Sequence, residues 1–151
     1  MSIEQTLADK GITLPEAPMP AANYVPFVQT GNLVFISGQI SADENGLITG
    51  KLGDTTSLED GAAAARRCGL ALIAQLKAAI GNLDRVTRVV KLTGFVNSTP
   101  DFTDQPKVIN GCSDLMVEVF GEAGRHSRAA VSAPSLPFGV AVEIEAVFEV
   151  R

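Results

Sequence analysis

The sequence has 151 residues, 46% of them hydrophobic and 19% charged, a composition typical of one folded domain and far from that of a disordered chain. Its formal net charge of −5 and its scattered Lys and Arg residues argue against a nucleic-acid or membrane-surface partner. No apolar run approaches the roughly 18 residues that span a bilayer, and the N-terminus lacks a signal-peptide pattern, so we expect a cytoplasmic protein.

The chain begins with a segment that we predict to cap the rest of the fold. Residues 1–16 form this N-terminal cap segment, within which residues 3–10 favour a short helix. Prolines between Pro15 and Ala22 then predict an extended lead-in to the main domain. We treat residues 1–151 as a single domain.

Paired strands follow the lead-in. Residues 24–29 and 33–40 are strand-like and are separated by turn residues. Gly38, inside the second strand, predicts a bulge or a close approach of another group to the backbone. Asn45-Gly46 predicts a hairpin turn, followed by a short strand at residues 47–49.

A first long helix is predicted to begin at Ser57. Ser57-Leu58-Glu59-Asp60 resembles a capping box with Asp in the position of Glu. Apolar residues then recur at helical spacing, small at the start and bulky at the end, up to a C-cap at Gly81-Asn82. Residues 86–96 predict a long strand after it.

A second helix is predicted after Pro100. Asp101 or Asp104 can cap it, and Gly121 ends it. Two strands complete the chain, at residues 128–133 and 140–150. In the last strand apolar residues alternate with a face that carries Glu143, Glu145 and Glu149.

This order of elements predicts an α+β two-layer sandwich, in which one mixed sheet carries both long helices on one face. Two helices cover only one side of the sheet. Yet Val34, Phe35 and Ile36 are apolar in succession, as are Val89 and Val90, so the other side is partly apolar as well. A closed homo-oligomer is the simplest cover for that side, and its interfaces are natural ligand clefts.

Few residues suggest classical nucleophilic or metal chemistry. The chain has one histidine, His126, and no nucleophile-elbow, phosphate-loop or zinc-ligand motif, so we expect no metal and no cofactor. His126 is either a solvated or structural residue, or it lines a cleft. Cys68 and Cys112 have no metal-ligand or redox spacing and are either small core residues or reactive thiols.

Arg128 differs from these residues because it is a lone cation in an apolar strand. Arginine is rarely buried without a partner, and its planar fork suits a carboxylate. The sequence leaves two alternatives open. Arg128 anchors a small carboxylate ligand, or it forms an internal salt bridge to Glu143 on the next strand.

Several short motifs occur in one order and spacing. They include Ser37-Gly38-Gln39, Asp101-Phe102, Ser127-Arg128-Ala129-Ala130-Val131, Leu136-Pro137 and Val142-Glu143-Ile144-Glu145-Ala146. Together they resemble the signature of the Rid family, the reactive-intermediate deaminases also called RidA/YjgF and often described as endoribonuclease L-PSP. The resemblance covers residues 17–151.

The chain is more similar still to a longer YjgF-like subgroup of that family. The motifs that it shares with the subgroup are Ala22-Asn23-Tyr24-Val25-Pro26, Leu92-Thr93-Gly94-Phe95-Val96-Asn97, Asp101-Phe102-Thr103-Asp104-Gln105-Pro106, Asn110-Gly111 and Val119-Phe120-Gly121.

The resemblance implies a chorismate-mutase-like fold that assembles as a homotrimer, with three clefts between subunits. It implies that Arg128 binds the substrate carboxylate and that Glu143 orients or deprotonates a water molecule. The remaining cleft residues that it implies are Tyr24, Ser37, Gly38 and Ala130. Tyr24 is otherwise an ordinary strand aromatic. Family deaminases hydrolyse 2-imino acids, or their enamine tautomers, to 2-oxo acids and ammonia.

Departures from the family pattern leave the substrate open. Ala130 stands where the archetypal deaminases often have Cys, His126 where Pro or Ala is common, and Val25 where Ser follows the tyrosine. We therefore retain two functions. One is hydrolysis of a small imino acid, and the other is binding of a 2-oxo acid without turnover. Ribonuclease activity is disfavoured by the acidic charge and by the absence of a His–His or His–Lys pair.

Overall fold

The computed structural model describes residues 2–19 and 23–151. Over these residues a mixed five-stranded sheet has the order β1-β2-β7-β5-β6, in which β5 and β6 are parallel and the other neighbours antiparallel. A two-stranded ribbon, β3-β4, stands apart from it. The strands are β1 (Phe27–Thr30), β2 (Leu33–Ile40), β3 (Ala42–Asp43), β4 (Gly46–Leu47), β5 (Val86–Asn97), β6 (Ser127–Ala133) and β7 (Val142–Val150).

The helices are α1 (Ile3–Asp9), α2 (Leu58–Ile80) and α3 (Gln105–Phe120). The predicted N-cap of α2 is confirmed, since Ser57 Oγ accepts a hydrogen bond from the backbone N–H of Asp60. Gly81 and Gly121 follow α2 and α3 with positive φ angles, as the two predicted helix ends require. Asp104 precedes α3 without a side-chain cap bond.

The core lies between the sheet and the pair α2 and α3, which confirms the two-layer arrangement. Alternation along β7 directs Val142, Ile144 and Phe148 into this core, where all three are fully buried. Cys68 and Cys112 are also fully buried, as small core residues would be. In the cap, Leu7 of α1 is buried and the backbone N–H of Ile3 donates to Asp84 Oδ1 at 2.7 Å.

Several predicted strand boundaries were wrong. Strand β1 begins at Phe27 rather than at residue 24, and β7 begins at Val142 rather than at residue 140. Val140 pairs instead with Thr49, outside the main sheet, so the chain there belongs to a different ladder. The predicted strand at 47–49 is reduced to β4, with Gly46 as its first residue. Pro20 and Ala22, which belong to the lead-in and to a subgroup motif, lie outside the described residues.

The face of the sheet opposite α2 and α3 carries exposed apolar side chains. Phe35 is 42% exposed and Val131 is 44% exposed. The expectation of a partly apolar, uncovered face is therefore confirmed for a single chain. Among the described residues, no helix combines the length and the apolar character that crossing a membrane requires.

Candidate functional site

The bulge in β2 creates a close approach between a backbone and a carboxylate. Ile36 pairs with Ala146 and Gln39 with Ile144, so Ser37 and Gly38 together oppose the single residue Glu145. A Cβ atom at Gly38 would lie 2.2 Å from Glu143 Oε2. Both predictions for Gly38, a bulge and a close approach, are confirmed. The missing side chain leaves room for the Glu143 carboxylate to lie against the strand.

Side chains around this contact fix the shape of the bulge. The hydroxyl of Ser37 donates to the carbonyl of Val25 at 2.8 Å, and the backbone N–H of Ser37 donates to the carbonyl of Pro26 at 2.9 Å. The buried amide of Gln39 donates to the carbonyl of Ser37 at 2.9 Å. These bonds satisfy backbone groups that a bulge removes from the sheet ladder.

Glu143 lies in a cavity of about 310 Å³, a size in the range of small-molecule sites. Tyr24, Ser37 and Gly38 share its lining with Glu143. Phe138 stands at the cavity with a φ of 58° and is 76% exposed. A bulky residue in the left-handed region is strained, and such strain is concentrated at functional sites.

The electrostatic setting of Glu143 suits a proton acceptor. Burial, and to a lesser extent the negative charge of Glu145, raise the pKa of Glu143 above its ordinary value. Across residues 2–19 and 23–151, no hydrogen bond or ion pair is formed by its carboxylate. A half-buried carboxylate with unused acceptor capacity is available to a ligand or a water molecule.

Arg128 lies in β6, the edge strand next to β5, and contacts α3. Its Nη1 donates to Asn110 Oδ1 at 2.9 Å and to Ser113 Oγ at 3.0 Å, and its Nη2 donates to the carbonyl of Pro106 at 3.2 Å. The alternative of a salt bridge to Glu143 on an adjacent strand is wrong. Strand β5 lies between β6 and β7, and Arg128 pairs in register with Leu92, whose side chain faces the core.

A single chain therefore gathers only part of the predicted site. Tyr24, Ser37 and Gly38 meet Glu143 in the cavity. Arg128 and Ala130 lie on the helix side of β6, because they pair with Leu92 and Gly94, whereas Glu143 lies on the other side of the sheet, between inward-facing Val142 and Ile144. One subunit does not bring Arg128 and Glu143 together.

His126 belongs to the surroundings of Arg128. Its Nε2 is 2.9 Å from Ser113 Oγ and its Nδ1 is 2.6 Å from the carbonyl oxygen of Gly124. Of the alternatives for His126, these bonds favour a structural residue.

The other reactive groups play a packing role. Burial raises the pKa of the Cys112 thiol to about 12 and that of the Cys68 thiol well above its ordinary value, so both stay protonated in the core and the reactive-thiol alternative is not supported. In the described part of the chain, no group of three or more His, Cys, Asp or Glu side chains is placed to hold a metal ion.

Two hydrogen-bond partners of Arg128 were not identified as such from the sequence. Asn110 was noted only as part of a motif shared with the subgroup, and Ser113 was not singled out. Their spacing of three residues on a predicted helix places them on one face, which is the signal that could have found them. Nothing in the sequence showed that this face meets Arg128.

The fold and the cavity together define a two-layer α+β domain with a cavity in the size range of small-molecule sites. A family model with the description "YjgF/chorismate_mutase-like, putative endoribonuclease" matches residues 4–148. The chain belongs to this YjgF/RidA family, the Rid family, and has its chorismate-mutase-like fold.

Relatives in the family carry different names. Protein TCP17 of Trypanosoma cruzi is 52% identical over 93% of this chain and 89% of its own length. A 2-iminobutanoate/2-iminopropanoate deaminase of Dermatophagoides farinae is 29% identical over 90% of this chain and 92% of its own length. The family thus includes an imine deaminase.

Solved structures resemble the chain along its length. Atu1372 of Agrobacterium tumefaciens, a protein of unknown function, is 45% identical with a TM-score of 0.90, over 99% of this chain and 94% of its own. TdcF of E. coli, solved with bound serine, is 27% identical with a TM-score of 0.64, over 90% of this chain and 94% of its own.

Proposed function

We propose that the protein hydrolyses small 2-imino or enamine acids to 2-oxo acids and ammonia, in clefts between the subunits of a homotrimer. The observation that carries this proposal is the Glu143 carboxylate, which has no hydrogen-bond or ion-pair partner among the described residues and is held against Gly38 in a cavity with Tyr24 and Ser37. The deaminase name of a relative supports the reaction class.

The separation of Arg128 from Glu143 supports a site between subunits. In one chain the two groups lie on opposite sides of the sheet, so a site that uses both needs a second copy. The exposed apolar face with Phe35 and Val131 supplies a surface for that copy. In such a cleft Arg128 of one subunit binds the substrate carboxylate, and Glu143 of its neighbour deprotonates the water molecule that attacks the imine carbon.

The reaction needs few protein groups because a protonated imine is already electrophilic. Glu143 accepts a proton from water as the water oxygen bonds to the imine carbon, and the electron pair of the C=N double bond moves to nitrogen. The carbinolamine then loses its C–N bond. Glu143 returns the proton to the departing nitrogen and then takes the proton of the hydroxyl group as the C–O bond becomes a double bond, so that ammonia leaves and the 2-oxo acid is formed. Arg128 contributes by fixing the substrate in place.

The test is release of 2-oxo acid from an imine generated in situ by an amino-acid oxidase. Wild-type protein should accelerate this release, and Arg128→Ala should lower kcat/KM about a hundredfold because the carboxylate loses its charged partner. Arg128→Lys should recover only part of the activity, since it lacks the planar fork. Arg125→Ala is the matched control, an exposed arginine three residues away that should leave activity intact.

A second candidate function is binding of a small carboxylate without turnover, which the bound serine of TdcF favours. Titration calorimetry with 2-oxobutanoate separates the two functions. Saturable binding that depends on Arg128, without any acceleration of imine hydrolysis, supports a binding protein. Full activity in Arg128→Ala contradicts the role proposed for the arginine.

A further inference from the structure

Within the described residues, the hydrogen bonds of Arg128 leave two of the N–H donors of its guanidinium group unused. An arginine has five N–H donors. Three are taken by Asn110, Ser113 and the carbonyl of Pro106, two of them from Nη1 and one from Nη2. Among the described residues, the two donors without a partner belong to Nε and Nη2, which are adjacent nitrogens of the planar group. Such a pair matches the two oxygens of a carboxylate.

Ser113 is itself oriented by His126. A carbonyl oxygen only accepts, so the 2.6 Å contact to Gly124 requires His126 Nδ1 to be the donor. When the ring is neutral, Nε2 is an acceptor and the Ser113 hydroxyl donates to it over 2.9 Å. In that state the hydroxyl hydrogen of Ser113 is directed to His126, and its oxygen accepts from Arg128 Nη1.

The backbone that holds His126 is packed firmly on α3. Residues Gly121–Gly124 form a short 3₁₀ helix against that helix. A Cβ atom at Gly124 would lie 2.2 Å from the carbonyl oxygen of Met116, so the two backbones are in direct contact. The carbonyl that orients His126 and the helix that carries Ser113 and Asn110 are consequently fixed relative to each other.

We propose that Asn110, Ser113 and His126 are positioning residues, which hold the guanidinium of Arg128 so that its Nε–Nη2 edge faces the carboxylate of the ligand. This inference rests on the proposed function, because it takes Arg128 to be the carboxylate anchor. A guanidinium held in place before binding loses less side-chain freedom when the ligand arrives.

The kinetic test compares Ser113→Ala with Ser113→Thr. Alanine removes the acceptor, and we expect KM for the imine to rise about three- to tenfold with kcat nearly unchanged. Threonine keeps the hydroxyl and should restore KM. Asn110→Ala should behave like Ser113→Ala. Asp114→Ala, an exposed α3 residue next to Ser113, is the control and should keep the wild-type KM. A loss of folded protein would instead lower kcat at constant KM.

A spectroscopic measurement tests the positioning without any turnover. The Nε–Hε resonance of Arg128, assigned by its absence in Arg128→Lys, should be a single sharp line in ligand-free protein. Ser113→Ala and Asn110→Ala should broaden or shift it, and Ser113→Thr should not. An unchanged resonance in the double variant Ser113→Ala/Asn110→Ala overturns the positioning role.

The two proposals fail in distinguishable ways. If wild-type protein neither hydrolyses imines nor binds 2-oxobutanoate, the proposed function is rejected, and with it the carboxylate as the partner of the oriented edge. If wild-type protein is active and both alanine variants keep its KM, the positioning residues are rejected while the proposed function stands.

Discussion

The close contact between Gly38 and Glu143 constrains the cavity. A methyl group at position 38 would overlap Oε2 and press on the carboxyl and γ carbons at 3.1 and 3.3 Å, so the flexible side chain of Glu143 has to move. The backbone of Gly38 has no positive φ, and alanine can adopt it. Stability and function should therefore respond differently at this position.

We expect Gly38→Ala to change the free energy of unfolding by less than about 1 kcal/mol, because a Gly→Ala change at a compatible backbone also reduces the freedom of the unfolded chain. Imine hydrolysis should fall about a hundredfold, as for a catalytic group displaced by about 1 Å. Thermal unfolding and kcat measure the two effects. In a Glu143→Gln background the Gly38→Ala substitution should lower kcat little further. Full kcat in Gly38→Ala alone contradicts this account.

The charge of Glu145 affects the pKa of Glu143. Burial first, and Glu145 second, raise the pKa of Glu143, so the base is protonated and inactive at a higher pH than an ordinary glutamate. Removing the like charge favours the ionised form. Glu145→Gln should therefore shift the acidic limb of the pH profile of kcat/KM to lower pH. Glu149→Gln, further along the same face of β7, should leave the limb in place, and a shift to higher pH in Glu145→Gln would contradict the assignment.

At the scale of the elements, α2 and α3 approach each other at small residues. A Cβ atom at Gly111 would lie 2.0 Å from the carbonyl oxygen of Ala62. A Cβ atom at Gly69 would lie 2.8 Å from a methyl carbon of Leu115. The small residues at the start of α2, which the sequence displayed as part of its apolar stripe, are thus the surface on which α3 lies.

We expect Gly111→Ala to destabilise the protein by about 1–3 kcal/mol, because the added methyl group meets the helix backbone of Ala62 and the helices have to separate. Alanine is the better helix former by about 1 kcal/mol, so helix propensity alone predicts the opposite sign. The free energy of unfolding in urea distinguishes the effect of the clash from that of helix propensity. Asp114→Ala, on the exposed side of α3, should stay within about 0.5 kcal/mol of wild type. A more stable Gly111→Ala would show that the helices can part freely.

The elements were predictable where local chemistry defines their ends. Ser57 caps the start of α2, and Gly81 and Gly121 end α2 and α3 through their backbone conformation. The predicted limits of α2 therefore agree with the structure. The start of β7 was not predictable in this way. Val140 has the same apolar pattern as the strand, but it pairs with Thr49, and the sequence does not reveal which ladder a residue joins.

At the scale of the whole molecule, the identity of the site residues was easier to predict than their arrangement. The motifs pointed to Arg128 and Glu143, but their separation depends on β5 entering between β6 and β7 and on the register that pairs Arg128 with inward-facing Leu92. Strand order arises from long-range pairing that no local pattern encodes. The acceptors of Arg128 on α3 were missed for the same reason, since β6 and α3 meet only in the folded chain.

The uncovered face should therefore decide the state of assembly. Phe35 is 42% exposed in the single chain and lies near Lys91, Thr93 and Glu145, in a shallow pocket of that face. Burying a phenylalanine contributes about 2 kcal/mol per subunit, and burying an unpaired carboxylate in its place is unfavourable. We expect Phe35→Glu to convert a trimer into monomers that retain the circular dichroism of wild type.

Size-exclusion chromatography with light scattering measures the change, and Val117→Glu is its matched control. Val117 is 43% exposed, a similar fraction, but it lies on α3, on the helix side of the sheet. Its replacement should leave the mass unchanged. Because the proposed cleft needs Arg128 and Glu143 from different subunits, Phe35→Glu should also abolish imine hydrolysis although it touches neither residue. Activity in a monomer would place the reaction within one chain, and a monomeric wild type would remove the basis for the shared site.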